Sequence, residues 1–191
     1  MTKKRYIIAL LAKDPAEYIR FAQTNFASIA ENYLLSEHAH PHITLVQFYG
    51  EEADYIRACE YLSHTKLRPQ PRFTGIQFGQ DGSDAGILWA NITVARDAEL
   101  LTLHACIVDI LQEHNLIILN DIKDLYYPHV TFARIRAKEI VTEKPTIIPQ
   151  RFDLAIGVAD DFGQFVEVTK MFNYEALHNE QMQKVFAQLR V

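Results

Sequence analysis

The sequence predicts an α+β fold, a two-lobed duplicated unit arranged about a single groove. Three pairs of segments carry that reading. Pro41-His42-Ile43-Thr44-Leu45 returns about half a chain later as Pro128-His129-Val130-Thr131-Phe132. Ala12-Lys13-Asp14-Pro15-Ala16-Glu17 returns as Ala95-Arg96-Asp97-Ala98-Glu99, and Arg72-Phe73 returns as Arg151-Phe152. The three separations are similar, as expected of a repeated strand-helix-strand-strand unit. The repeat is placed at about 5–80 and 87–172, with a terminal helix over 175–189. No Gly/Ser tract divides the halves, so 1–191 reads as one bilobal domain.

Tyr6 to Ala12 reads as the first strand: the apolar run stops at Lys13-Asp14, at the short limit for a secretory signal and with no convincing cleavage site after it. Asp14-Pro15-Ala16-Glu17 joins a capping residue, a first-turn proline and an acid, which is a helix start. Tyr18, Phe21, Ala22, Phe26 and Ile29 then recur at helical spacing, predicting a helix to about Tyr33. A polar connection, Leu35 to His40, leads to a strand over Ile43 to Phe48, then a helix over Glu51 to Ser63 and a proline-bearing loop over Leu67 to Pro71. Phe73 to Gly79 and Ile87 to Val94 read as a hairpin around an Asp/Gly/Ser-rich turn. A long helix runs from about Ala95 to Asn115. After the second motif, Ala137 to Gln150 reads as a loop with one short helix; Phe152 to Val158 and Phe165 to Phe172 form a last hairpin.

Net charge is -5 and the pI 5.9, so no overall positive field is available to track a long polyanion. A nucleotide or short oligonucleotide is therefore the expected partner, not a long duplex. No apolar stretch approaches the roughly 18–20 residues of a membrane span. Cys59 and Cys106 fall in helical segments without a metal-like spacing partner and read as buried thiols of a reducing, cytoplasmic compartment. The chain is expected to act as a monomer.

Side chains alternate along a strand, so His42 and Thr44 share one face while Ile43 and Leu45 enter the core; His129 and Thr131 are matched by Val130 and Phe132. The preceding proline removes an amide donor and favours extended backbone before it, marking a strand start. About a pseudo-twofold axis, both His-Thr pairs line one groove. Two imidazoles in different protonation states supply a base and an acid near neutral pH, and two hydroxyls supply neutral donors for phosphate oxygens. None of the four requires a metal.

These paired motifs in a duplicated α+β chain resemble the 2H phosphoesterase superfamily, which includes 2′-5′ RNA ligase-like and cyclic nucleotide phosphodiesterase proteins. The resemblance implies two antiparallel sheets facing a central groove with helices outside. It also implies metal-independent, cofactor-free attack on RNA-type phosphodiesters or 2′,3′-cyclic phosphates. The catalytic roles fall on His42 and His129, and phosphate binding on Thr44 and Thr131. Which histidine is the base is left open by the sequence.

Arg134 is a further substrate-contact candidate, although strict alternation turns it away from His129 and Thr131 unless a bulge redirects it. Tyr127, Tyr126 and Phe48 can stack on a base or simply pack. His64, His104, His114 and His178 lack the motif context and read as ordinary surface or helix residues. The alternatives are a nucleotide- or RNA-binding module without turnover, and a metal enzyme using the alternating His38, His40 and His42.

Overall fold

A computed structural model of the chain describes residues 3–80, 86–136 and 151–172. Within them the nine apolar and alternating segments form two antiparallel sheets. The first has the order β6-β3-β1-β8-β9, from β1 (Lys4–Ala12), β3 (His42–Gly50), β6 (Ile117–Ile118), β8 (Phe152–Ala159) and β9 (Phe165–Phe172). The second has the order β2-β7-β5-β4, from β2 (Ala30–Leu34), β4 (Phe73–Gln80), β5 (Ile87–Val94) and β7 (His129–Arg136). Each sheet therefore takes strands from both halves of the chain: β6 and β8 join β3 and β1, while β2 and β4 join β7 and β5.

Among the described residues, three α-helices connect strands. In α1 (Ala16–Phe26), Asp14 Oδ1 accepts the Ala16 amide at 3.3 Å. In α2 (Glu52–His64), Glu51 and Asp54 form a reciprocal capping box, and in α3 (Ala98–Glu113) Asp97 accepts from the Leu100 amide at 3.0 Å. Such caps each satisfy an amide that has no partner within the helix, worth about 1 kcal/mol. The helices also cross between halves. α1 packs on β7, burying Tyr18, Ala22 and Phe26, and α3 packs on β3 and β6.

The main core lies between the helices and the outer sheet faces, where Ile43 and Leu45 of one motif and Val130 and Phe132 of the other are fully buried. A second, smaller cluster sits on the inner face of the first sheet. Ile7, Ala9, Leu11, Ala155 and Ala159 pack there beneath Phe165. Small residues leave room for that ring: a Cβ added to Gly157 would lie 1.9 Å from the Glu167 carbonyl oxygen and 2.7 Å from the ring.

The structure corrects the first helix. It ends at Phe26 and not near Tyr33, and Ala30–Leu34 is an edge strand pairing Ala30 with Ile135 and Leu34 with Ala133. Asn32 takes the left-handed conformation (φ 62°), which asparagine tolerates better than most residues. Apolar spacing alone did not reveal this pairing with the open side of β7. The two-residue β6 likewise has no sequence signal beyond Asn115, which ends α3 at φ 57°. The expected elements over 137–150 and 175–189, and the 81–85 turn, lie outside the described residues. No helix among the described residues is long and apolar enough to cross a membrane.

Candidate active site

β3 and β7 approach one another, and a cavity of about 350 Å³ opens beside them. His42, Thr44, His129 and Thr131 all line it, together with Tyr127, Gln47, Asn91 and Trp89. Thus the two half-motifs reach one groove from two different sheets.

The histidines are held in the same way. His42 Nδ1 lies 2.7 Å from the His40 carbonyl oxygen, and His129 Nδ1 lies 2.8 Å from that of Tyr127. A carbonyl only accepts, so Nδ1 carries the hydrogen and the other nitrogen, Nε2, is the one left for proton transfer. In both cases a proline, Pro41 or Pro128, with its ring-fixed φ, stands between the histidine and the carbonyl that it meets.

Their surroundings differ. His42 is 6% exposed, with the Phe165 ring edge-on at 5.9 Å, whereas His129 is half-buried beside Tyr127. Burial pushes His42 down to about 4, its bond to His40 partly opposing this and the nearby His129 lowering it further. Burial also lowers His129, again opposed by its backbone hydrogen bond. Each ring is consequently neutral at pH 7 in the free protein.

One residue past each threonine the strand carries a bulge. In β3 the partner register passes from Ala9–Thr44 to Ile8–Val46, skipping Leu45; in β7 it passes from Asn91–Thr131 to Ala90–Ala133, skipping Phe132. The extra residue reverses alternation, so Gln47 and Arg134 join the faces that carry the threonines. This corrects the outward direction assigned to Arg134 by alternation. It is paired with Trp89 across the strands and is 6% exposed, but it lies near Glu31 and is not among the residues lining the cavity.

No protein-family model and no curated protein matches the chain. Solved structures do. One, described as a phosphoesterase, has a TM-score of 0.59 at 14% identity, over 89% of this chain and 97% of its own. E. coli LigT complexed with 3′-AMP gives 0.60 at 13% identity, over 90% of this chain and 97% of its own. The MHV ns2 PDE domain gives 0.50 at 14% identity, over 81% and 99%. The chain has the 2H phosphoesterase fold.

On this fold, the β3 bulge is held by His104 and Asn120, neither of which has a site role legible in the sequence, and by Tyr126, expected from it as a stacking candidate. His104, read as an ordinary helix residue, is 1% exposed; its Nδ1 donates to the skipped Leu45 carbonyl at 2.9 Å. Asn120 accepts the Gln47 amide at 2.7 Å, and Tyr126 donates its hydroxyl to the Thr44 carbonyl at 2.9 Å. Tyr126 stacks on His104 at 3.8 Å, so its ring packs as part of the scaffold; Phe48 is fully buried in the core. Tyr127 stands at the rim, 40% exposed, donating to Gln77. Gln47 in turn accepts from Arg5 Nε at 3.0 Å and donates to the Gly163 carbonyl at 2.8 Å, fastening the 160–164 turn to the groove.

Among the described residues, no three His, Cys, Asp or Glu side chains are grouped as metal ligands. Cys59 is buried in α2, and Cys106 is only partly buried in α3, a correction to the expectation for the second thiol.

Proposed function

We propose that the chain is a metal-independent phosphodiesterase acting on RNA-type phosphodiesters or 2′,3′-cyclic phosphates. The observation carrying this reading is the matched pair of imidazoles, each with Nδ1–H on a carbonyl two residues earlier and each lining one cavity beside its threonine. Similarity of fold to phosphoesterases supports it. His42, the more enclosed ring, is the base, and His129, nearer solvent, is the acid in the protonated form that it takes up as the pH falls below neutrality.

In hydrolysis of a 2′,3′-cyclic phosphate, His42 Nε2 takes a proton from water as its oxygen bonds to phosphorus. The ring P–O bond breaks, and His129 Nε2–H delivers its proton to the leaving sugar oxygen, giving a phosphomonoester. Thr44 and Thr131 hydroxyls donate to the non-bridging oxygens, which gain charge in the transition state. A second proton exchange with solvent returns the histidines to their starting states. We place the chain as one bilobal domain formed by duplication, acting as a cytoplasmic monomer. Tyr127, which lines the groove, contacts the substrate at its margin.

The test is a panel of 2′,3′-cyclic nucleotides and 2′-5′ dinucleotides assayed in EDTA, with products identified by mass. Turnover is expected in the wild type and lost in folded His42→Ala and His129→Ala proteins. Abolition by EDTA, or no turnover of any member, rejects the proposal.

A further inference from the structure

The groove contains more than the phosphate-directed groups need. Asn91 and Gln164 line it from different sides: Asn91 lies on β5 opposite Thr131, and Gln164 lies in the turn before Phe165. They are 5% and 6% exposed, yet Asn91 Oδ1 and Gln164 Oε1 have no hydrogen-bond partner among the described residues. A buried amide oxygen without a donor is a standing cost, and buried polar groups are nearly always satisfied. Beside them, Trp89 and Phe162 meet edge to face at 6.2 Å, giving the groove aromatic walls. None of the described lining residues is Lys or Arg.

We propose that Asn91 and Gln164 form a nucleoside subsite, their carboxamides hydrogen-bonding the base and ribose of a ligand whose single phosphodiester lies between the two His-Thr pairs. This rests on the phosphodiesterase reading. The terminal torsion of an amide side chain is soft, so each group turns toward a ligand at little cost, and neither unpartnered oxygen forfeits a bond in doing so. A ribose hydroxyl or a base N–H provides the donor that the protein withholds. Aromatic walls suit the base, and a lining without Lys or Arg suits a monoanionic diester in preference to a polyphosphate chain.

The test compares adenosine 2′,3′-cyclic phosphate with methyl ribofuranoside 2′,3′-cyclic phosphate, which keeps the cyclic phosphate and lacks the base. Asn91→Leu and Gln164→Met are near in volume and remove the amide. Each is expected to lower the ratio of kcat/KM for the nucleoside over the base-free compound about tenfold, the loss of one hydrogen bond, chiefly through KM. Melting temperatures should not fall, because neither amide oxygen accepts a hydrogen bond from the described residues in the empty protein. An unchanged ratio, or a lowered melting temperature accompanying the loss, overturns the subsite. Calorimetric binding of both compounds separates this proposal from the phosphodiesterase reading. If the wild type turns over neither compound but binds the nucleoside through both amides, only the reaction is wrong. If every variant keeps the wild-type ratio, only the subsite is wrong.

Discussion

Acid should weaken this fold through His42 in a way that can be calculated. The ring titrates at about 4 in the folded chain against 6.5 as the ordinary value, a depression caused first by burial. A base whose folded value is depressed favours the neutral form when folded. Its contribution is therefore fully present above pH 6.5 and is lost as pH falls from there toward 4. Each unit is worth about 1.4 kcal/mol, so roughly 3 kcal/mol is lost below pH 4 and about 2 kcal/mol is already lost at pH 5. At 6% exposure the ring is shielded from water, and no large discount for solvent applies. The comparison protein is His42→Asn, whose amide nitrogen can still donate to the His40 carbonyl but does not titrate. Urea unfolding of both at pH 7.5 and pH 5 should show the wild type losing about 2 kcal/mol more than the variant. Equal losses to within about 0.5 kcal/mol would refute the assignment of a buried, neutral His42.

Three further outcomes are expected. Because both imidazoles are shifted down, kcat/KM should rise from pH 4 as the base becomes neutral and decline before pH 7 as the acid loses its proton; an optimum above pH 8 contradicts the roles given. Thr44→Ala and Thr131→Ala should each cut kcat by about 10- to 100-fold, and each histidine-to-alanine change by about 10²- to 10⁴-fold, so steady-state kinetics that reverse this ranking reject the phosphate-donor role. Gly157→Ala forces a methyl group onto the Glu167 carbonyl and Phe165 and should cost about 1–3 kcal/mol in urea unfolding; a neutral result means that Phe165 is not clamped over the inner sheet face.

How far the sequence reached is clearest at the motif strands. Alternation placed His42 with Thr44 and His129 with Thr131, because two residues share a strand face whatever lies beside them. Alternation then failed three residues later. A bulge is a property of two paired strands, and nothing in Ile43-Thr44-Leu45 or Val130-Thr131-Phe132 names the partner register that skips Leu45 and Phe132. His104 and Asn120 were missed for the same reason. Their partner is a carbonyl or amide in β3, more than fifty residues away in each case, and no local pattern marks it. The Ala30–Leu34 strand shows the opposite failure: Phe26, Ile29 and Tyr33 fit a helical period well, and only the available edge of β7 decides against it.

The exchange of strands between halves bears on how such a groove can move. Cutting the backbone between β4 and β5 would leave two fragments, each missing one of the two neighbours of its own motif strand, β6 beside β3 and β2 beside β7. The two sequence halves cannot swing apart like jaws, since β6, β8, β2 and β4 are laced into the opposite half's ladder. The two imidazoles stand on different sheets, so their spacing is held not by a shared ladder but by the core cluster that both motif strands enter and by the Tyr126 hydroxyl on the Thr44 carbonyl, leaving surface turns and side-chain torsions as the parts that adjust when a substrate enters.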